Sequence, residues 1–241
     1  PQDLFKHLKV HWPSEQNVDL DQLFYDWTEQ EGFPVVEVQK HFGNFVIVYQ
    51  RRFLLSPNDG SNSKLLYTIP LTYATDINND FEDLTPHRYF PNTEVENMGY
   101  SFEVEMGYEW IVLNLQQSNY YRVFYSPELL AAIRKALFNT TPLLHSGIHQ
   151  LNRAQLVDDY FNFARVGDVE YDYVFDFLEY LVNEVEYTPW YAVFNNLPRI
   201  TQRLMPGDQQ RQFALFLWDV AEEVYKKIDF FNEPTRAVDV Y

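Results

Sequence analysis

Two pairs of histidines stand four residues apart, His7 with His11 and His145 with His149. On a helix that spacing sets both imidazoles on one face, as an H-E-x-x-H zinc segment requires, with its glutamate as general base. Neither pair has the glutamate: Leu8 follows His7 and Ser146 follows His145. Gly147 also weakens any helix through the second pair. Both pairs therefore read as structural. Glu103 and Glu105 would share a strand face, but no partner marks either as an acid or a base. No G-x-S-x-G segment is present, and 8 glycines in 241 residues leave little material for phosphate-cradling loops. No catalytic or metal-binding residue is assigned, and no cofactor is expected in this chain.

One segment is rich in acids: Asp158, Asp159, Asp168, Glu170, Asp172, Asp176, Glu179, Glu184 and Glu186 face only Arg153 and Arg165. It could form a wall that attracts the amino terminus of a peptide. A solvated helix face is the favoured reading, because the acids lie mostly opposite an apolar stripe. The whole chain carries 35 acidic and 18 basic residues, a net charge of -17. That excludes a nucleic-acid partner, which needs clustered cations, and disfavours an anionic membrane surface. Peptides or proteins remain as partners. No run approaches the roughly 18 apolar residues of a membrane span. There is no cysteine, so neither a disulfide nor a thiolate ligand can form. Asn139-Thr140-Thr141 is an acceptor sequence for N-glycosylation.

The elements that must position these residues fall into three stretches. Leu4, Phe5, Leu8 and Trp12 predict a first helix, stopped by Pro13, and Val18 to Gln30 a second. From Phe33 the period shifts to two. Val36, Val38, Phe45, Ile47 and Tyr49 mark strands, with a turn at His41–Asn44 and a loop over 57–63. Further strands are predicted over 65–73, 110–113 and 120–125, and the acid-rich stretch 76–97 reads as irregular. This pattern suggests a small β-sandwich. Beyond Ser126 the chain turns helical. Ser126-Pro127 opens a helix, Asn152 with Gln155 resembles a capping box, and a helix from Glu170 carries Val174, Phe177, Leu178, Leu181, Val182 and Val185. Helices from Pro189 and over 209–227 complete what reads as stacked helical pairs, an α-solenoid. The expected class is α+β, with a stub at 1–30, a sandwich at 31–125 and a helical domain at 126–241.

Several segments resemble, in order, the part of M1 zinc aminopeptidases that follows the catalytic domain. Trp27-Thr28-Glu29-Gln30-Glu31-Gly32-Phe33-Pro34-Val35 resembles W-[TS]-x-Q-x-G-[FY]-P-V, and Gln50-Arg51-Arg52-Phe53 resembles Q-x-R-F. Tyr67-Thr68-Ile69-Pro70-Leu71-Thr72 resembles W-x-[IV]-P-[LI], with Tyr in place of Trp. Asn119-Tyr120-Tyr121-Arg122-Val123-Phe124-Tyr125 is similar to G-[YF]-Y-R-V-N-Y, departing at Gly and Asn. The segments from Asn152 to Asp159 and from Glu186 to Trp190 resemble the start of the family's C-terminal helical domain.

The resemblance implies that the family's G-A-M-E-N loop, zinc motif and transition-state tyrosine lie upstream, so no catalytic or zinc role passes to any residue here. It implies a non-catalytic C-terminal portion whose parent is a zinc-dependent, extracellular or membrane-associated aminopeptidase, with a cytoplasmic location the other option. The remainder of that enzyme would be the partner, and this part would cover the active site. The alternative function is a truncated pseudoenzyme that binds a peptide or protein by itself.

Overall fold

The computed structural model describes residues 2–12, 18–56, 65–92, 99–138 and 147–227. Pro13, the loop over 57–63, the Asn139 acceptor and His145 lie outside these residues. Helix α1 (Gln2–His11) packs on α2 (Leu20–Thr28) by stacking Phe5 on Phe24, with ring centroids 4.2 Å apart. Asp19 caps α2, accepting the backbone N–H groups of Asp21 and Gln22 at 3.0 and 3.2 Å, which satisfies donors that a helix start leaves free. Gly32, at φ 85°, then turns the chain into the sheet. A side chain there would meet the Arg52 guanidinium 2.7 Å away, so both the backbone and the space require glycine.

Eight strands follow: β1 (Pro34–Lys40), β2 (Phe45–Arg52), β3 (Ile69–Leu71), β4 (Tyr73–Thr75), β5 (Arg88–Phe90), β6 (Tyr100–Glu103), β7 (Ile111–Leu113) and β8 (Arg122–Tyr125). Four of them form one sheet in the order β6-β2-β1-β8, while β3 pairs with β5 and β4 with β7. β1 and β2 form an antiparallel hairpin through the turn at His41–Asn44, and β8 runs parallel to β1 with Val35 beside Arg122.

Three strand expectations change. The strand over 65–73 divides at Thr72, because its two halves pair with different partners. The stretch read as irregular contains β5. In β2 the buried face is Val46 and Val48, whereas Phe45 is exposed and Ile47 and Tyr49 are half-buried. Both faces of β2 are apolar in sequence, so period alone could not choose. The register does, because Val48 lies opposite the buried Val38.

The helical part comprises α3 (Pro127–Phe138), α4 (Gln150–Val166), α5 (Tyr171–Leu178), α6 (Tyr187–Thr201) and α7 (Asp208–Lys227). Ser126 opens α3 as expected, its carbonyl accepting the Leu130 N–H at 2.9 Å. The long helix predicted from Glu170 is shorter: α5 tightens into a 3-10 stretch at Glu179–Asn183, and Val185 is exposed. The capping box is also corrected. His149, not Asn152, is the N-cap of α4, and Asn152 is buried one turn inside.

α4 is enclosed on nearly every side. It runs parallel to α6, because Thr188 donates to Gln150 near one end and Asn196 donates to Asp158 further along, at 3.1 and 3.0 Å. A single apolar core extends from the sheet valines through Tyr160 and Phe163 to Val220. The architecture is mixed α and β, with small sheets and seven α-helices among the described residues.

Candidate functional site

Four of the six segments that carry the family resemblance meet at one place, the joint between β1, β8 and α4. Phe33 and Phe53 stack with centroids 5.3 Å apart. The Arg122 guanidinium lies over both rings, at 5.8 and 5.2 Å. Phe163 meets Phe53 edge-on at 6.4 Å from the other side. One Arg122 nitrogen donates to Asp158 and to Asp159, each at 2.7 Å. Asp159, 1% exposed, also accepts the Val123 N–H at 2.9 Å. A carboxylate on α4 thus completes the free edge of β8. Gln50 braces the next segment, accepting the Tyr67 N–H at 2.8 Å and donating to the Tyr67 carbonyl at 3.0 Å.

Electrostatics at the joint follow from burial. Asp159 is pushed up to about 7 because its carboxyl is desolvated, and Arg122 and the Val123 N–H only partly offset this. Burial works against the Arg122 charge as well, but Asp159 and Asp158 outweigh it and hold the guanidinium above its ordinary value. Burial also raises the Tyr125 and Tyr160 hydroxyls, so both stay protonated; the Tyr125 hydroxyl accepts the Leu113 N–H at 2.9 Å, and the Tyr160 hydroxyl accepts the Tyr125 N–H at 3.3 Å.

Beside the joint opens a cleft of about 280 Å³, lined by Phe33, Gln117, Asn119, Tyr120, Tyr121, Arg122, Asp158 and Asp159. Its rim is aromatic: Tyr120 is exposed and packs against Phe33 at 5.0 Å. Its far wall bends through Asn114, Gln116 and Gln117, which hold φ of 60°, 51° and 55°. Such backbone costs on the order of 1–3 kcal/mol per residue and persists only where neighbours enforce it. Asn114 enforces it by donating to the Asn119 and Tyr121 carbonyls and accepting the Asn119 N–H, all within 3.0 Å. Asn152 holds the bend to α4, accepting the Gln116 N–H at 2.8 Å and donating to the Asn114 carbonyl at 2.9 Å. Its half-buried carboxylate, Asp158, is already engaged by Arg122 and Asn196, so the cleft offers an aromatic rim and partly neutralised polar groups. It has no constellation for hydrolysis.

The other candidates scatter. His7 and His11 are exposed on α1. His149 is not on a helix face; its Nδ1 accepts the Leu151 N–H at 3.3 Å, and burial lowers its pKa. Glu103 accepts from Asn44, and Glu105, just past β6, accepts from Thr75. The acidic stretch is not one solvated face. Asp159 and Glu184 are buried, and Glu184 pairs with the buried Arg153 at 2.7 and 3.0 Å. Sequence reasoning missed both pairings; the available signal was polar residues at the apolar spacing of α4. Among the described residues no group of three or more His, Asp or Glu could hold a metal ion, so zinc has no fitting donor set there. No helix among them is long and apolar enough to cross a membrane.

Residues 110–240, more than half of the chain, match the ERAP1-like C-terminal domain, and the chain belongs to that family, as a C-terminal portion of an M1 aminopeptidase. It is 34% identical over 95% of its length to aminopeptidase N of Plutella xylostella, covering 24% of that protein. It is 35% identical over 97% of its length to aminopeptidase Ey of Gallus gallus, covering 23%. Endoplasmic reticulum aminopeptidase 1 of Homo sapiens is 24% identical over 92% of the chain, which covers 22% of it. The chain thus spans less than a quarter of the length of these curated relatives.

Proposed function

We propose that the chain is the non-catalytic C-terminal portion of a zinc aminopeptidase that removes N-terminal residues from peptides, where it supports and covers the active site. The joint carries this reading. Strands and helices are tied together by buried polar contacts, Asp159 to Val123 and Asn152 to Asn114, a construction suited to a stiff wall rather than a moving catalytic part. In this reading residues 1–30 are the end of a catalytic domain, 31–125 a β-sandwich and 126–241 the start of an α-solenoid. The parent is extracellular or membrane-associated, in keeping with relatives named membrane alanyl aminopeptidase, and Asn139 carries a glycan.

The test uses the 241-residue chain and a separately produced upstream catalytic portion of the parent. With zinc added, the chain alone should release nothing from aminoacyl anilides. Added to the catalytic portion, it should bind and raise aminopeptidase turnover. Chelator-sensitive turnover by the chain alone would overturn the non-catalytic role. Peptide binding by the chain, with no effect on the catalytic portion, would favour the stand-alone binding module.

A further inference from the structure

The cleft beside Phe33 is held in shape by backbone that ordinary residues disfavour. Asn114, Gln116 and Gln117 are the non-glycine residues at positive φ among the described residues, and all three stand in its far wall. Such strain gathers where a surface must keep a fixed form. The two glutamine side chains there have different fates. Gln116 commits its amide to the Phe81 carbonyl and to Glu82, at 3.0 and 3.1 Å. The exposed Gln117 side chain has no hydrogen bond among the described residues. Asn119, on the same wall, donates only to the neighbouring Ser118 at 3.2 Å, which leaves its side-chain oxygen open. Tyr120 rests one flank on Phe33 and keeps 69% of its surface exposed.

Charged ligands suit this cleft poorly. One Arg122 nitrogen serves both Asp158 and Asp159, so an anion would compete with two carboxylates for that guanidinium. An organic cation would find the Phe33 ring already occupied by Arg122, 5.8 Å from its centroid. An extended peptide joins a sheet through a free strand edge, and α4 closes the edge of β8. Asp159 accepts the Val123 N–H there and the Tyr160 hydroxyl accepts the Tyr125 N–H. What remains is a set of neutral donors and acceptors beside an apolar plate: the Gln117 carboxamide, the Asn119 oxygen and the Tyr120 hydroxyl and ring. Asp158 adds acceptor capacity, since each of its oxygens holds one donor and has a second lone pair. Vicinal hydroxyls match such a set, because each donates one hydrogen and accepts two. The volume of about 280 Å³ lies just below the roughly 300–1,000 Å³ of drug-sized pockets, which suits a single ring.

We propose that this cleft binds one neutral pyranose ring, stacked on Tyr120 and hydrogen-bonded through Gln117, Asn119 and Asp158. The C–H face of the sugar lies against the electron-rich face of the Tyr120 ring. Its hydroxyls take the place of water on the two amides and the carboxylate. The strained wall sets those amides before the ligand arrives, so little ordering entropy is lost on binding. The site does not rest on the aminopeptidase reading, because none of its groups draws on an upstream catalytic portion.

Saturation-transfer NMR on the full chain tests this, with the methyl glycosides of glucose, galactose, mannose and N-acetylglucosamine as probes. At least one glycoside should receive saturation, most strongly at its ring C–H protons, and should shift the Tyr120 ring resonances. That shift places the ligand in the unsubstituted chain without any variant. Tyr120→Ala and Gln117→Gly should each weaken binding about tenfold, as loss of one good contact does; glycine accepts the φ of 55° at position 117. Tyr191→Ala, which removes an exposed ring on α6, should leave binding unchanged and so separates the cleft from general stacking on exposed tyrosines. Sorbitol, which has the hydroxyls but no ring face, should not compete. A free sugar that binds better than its glycoside assigns a free monosaccharide, and a glycoside that binds as well assigns the end of a glycan; either supports the site. Saturation of none of the glycosides, undiminished binding by Tyr120→Ala, or competition by sorbitol overturns the proposal. So does a Tyr120 shift produced by tetramethylammonium or a tetra-alanine peptide and by no glycoside.

Discussion

Arg122 and Asp159 form an ion pair across the joint of strand and helix, 2.7 Å apart, with the carboxyl buried and the guanidinium lying over the Phe33 and Phe53 rings. The pair is not a surface contact that water can replace. Asp159→Ala would leave the Val123 N–H and the Arg122 charge without their partner, at a cost of about 3–5 kcal/mol. Urea unfolding of the two proteins measures it. A loss below about 1 kcal/mol would place the pair among exposed ones.

The same carboxyl sets a pH dependence. Its folded pKa of about 7 lies above the ordinary 3.8, so between those values the folded chain binds the extra proton. Its contribution to stability is fully present below the ordinary value and is lost as pH rises through about 7. The stability of the unsubstituted chain relative to Asp159→Asn should therefore fall as pH climbs from about 4 to 8. A relative stability that rises over that range contradicts the assignment.

His149 has the opposite sign. Burial lowers its pKa from 6.5, aided by Arg153 and opposed by Glu82, so stability is present above 6.5 and lost as pH falls. Protonation also removes the acceptor that caps α4. His149→Ala should cost about 1 kcal/mol above neutrality, the usual value of an N-cap, and progressively less on acidification. His149→Asn, which caps without titrating, should abolish this dependence. Unfolding at a series of pH values separates the three proteins.

Arg153 and Glu184 are both almost fully buried, and Glu184 also accepts the Val185 and Glu186 N–H groups. Arg153→Met alone should cost about 3–5 kcal/mol by stranding the carboxylate. Adding Glu184→Leu should recover part of that loss, because replacing both charges removes the desolvation penalty. The recovery stays incomplete, since the two backbone donors lose their acceptor. A double-mutant cycle reads the coupling directly.

Trp27 is half-buried, donating to the Thr68 carbonyl at 2.8 Å and packing on Tyr67 at 5.3 Å. Trp27→Phe should lose only the hydrogen bond, about 1 kcal/mol. Trp27→Ala should cost about 3 kcal/mol, the lower end for large aromatics, because the ring is not fully enclosed. Equal losses in the two variants would show that packing contributes nothing.

The legible parts of the sequence were those governed by local chemistry. Ser126-Pro127 announced α3, and Gly32 announced the turn into β1. Long-range pairing was not legible. Nothing near Thr72 announces that β3 and β4 take different partners, and Phe45-Val46-Ile47-Val48-Tyr49 is apolar on both faces. The joint was visible only as motifs. That Phe33, Phe53, Arg122 and Asp159 come from four distant segments and meet at one point is a property of topology, which residue spacing does not carry. Asp158 and Asp159 read as solvated for the same reason, since the cation that neutralises them belongs to β8.

The parallel pairing of β1 with β8 bears on how the chain is made. β1 emerges from a ribosome well before Arg122, and its edge of buried valines stays open until β8 has been synthesised. Such an edge recruits strands of other chains, and contacts between distant segments form slowly. Asp159 and Asn152 emerge later still, so the strands wait for α4 before their joint is locked. Protection of nascent chains by a holding chaperone is therefore most needed between the synthesis of β2 and of α4. Truncation anywhere in that window would yield an aggregating fragment rather than a smaller folded unit.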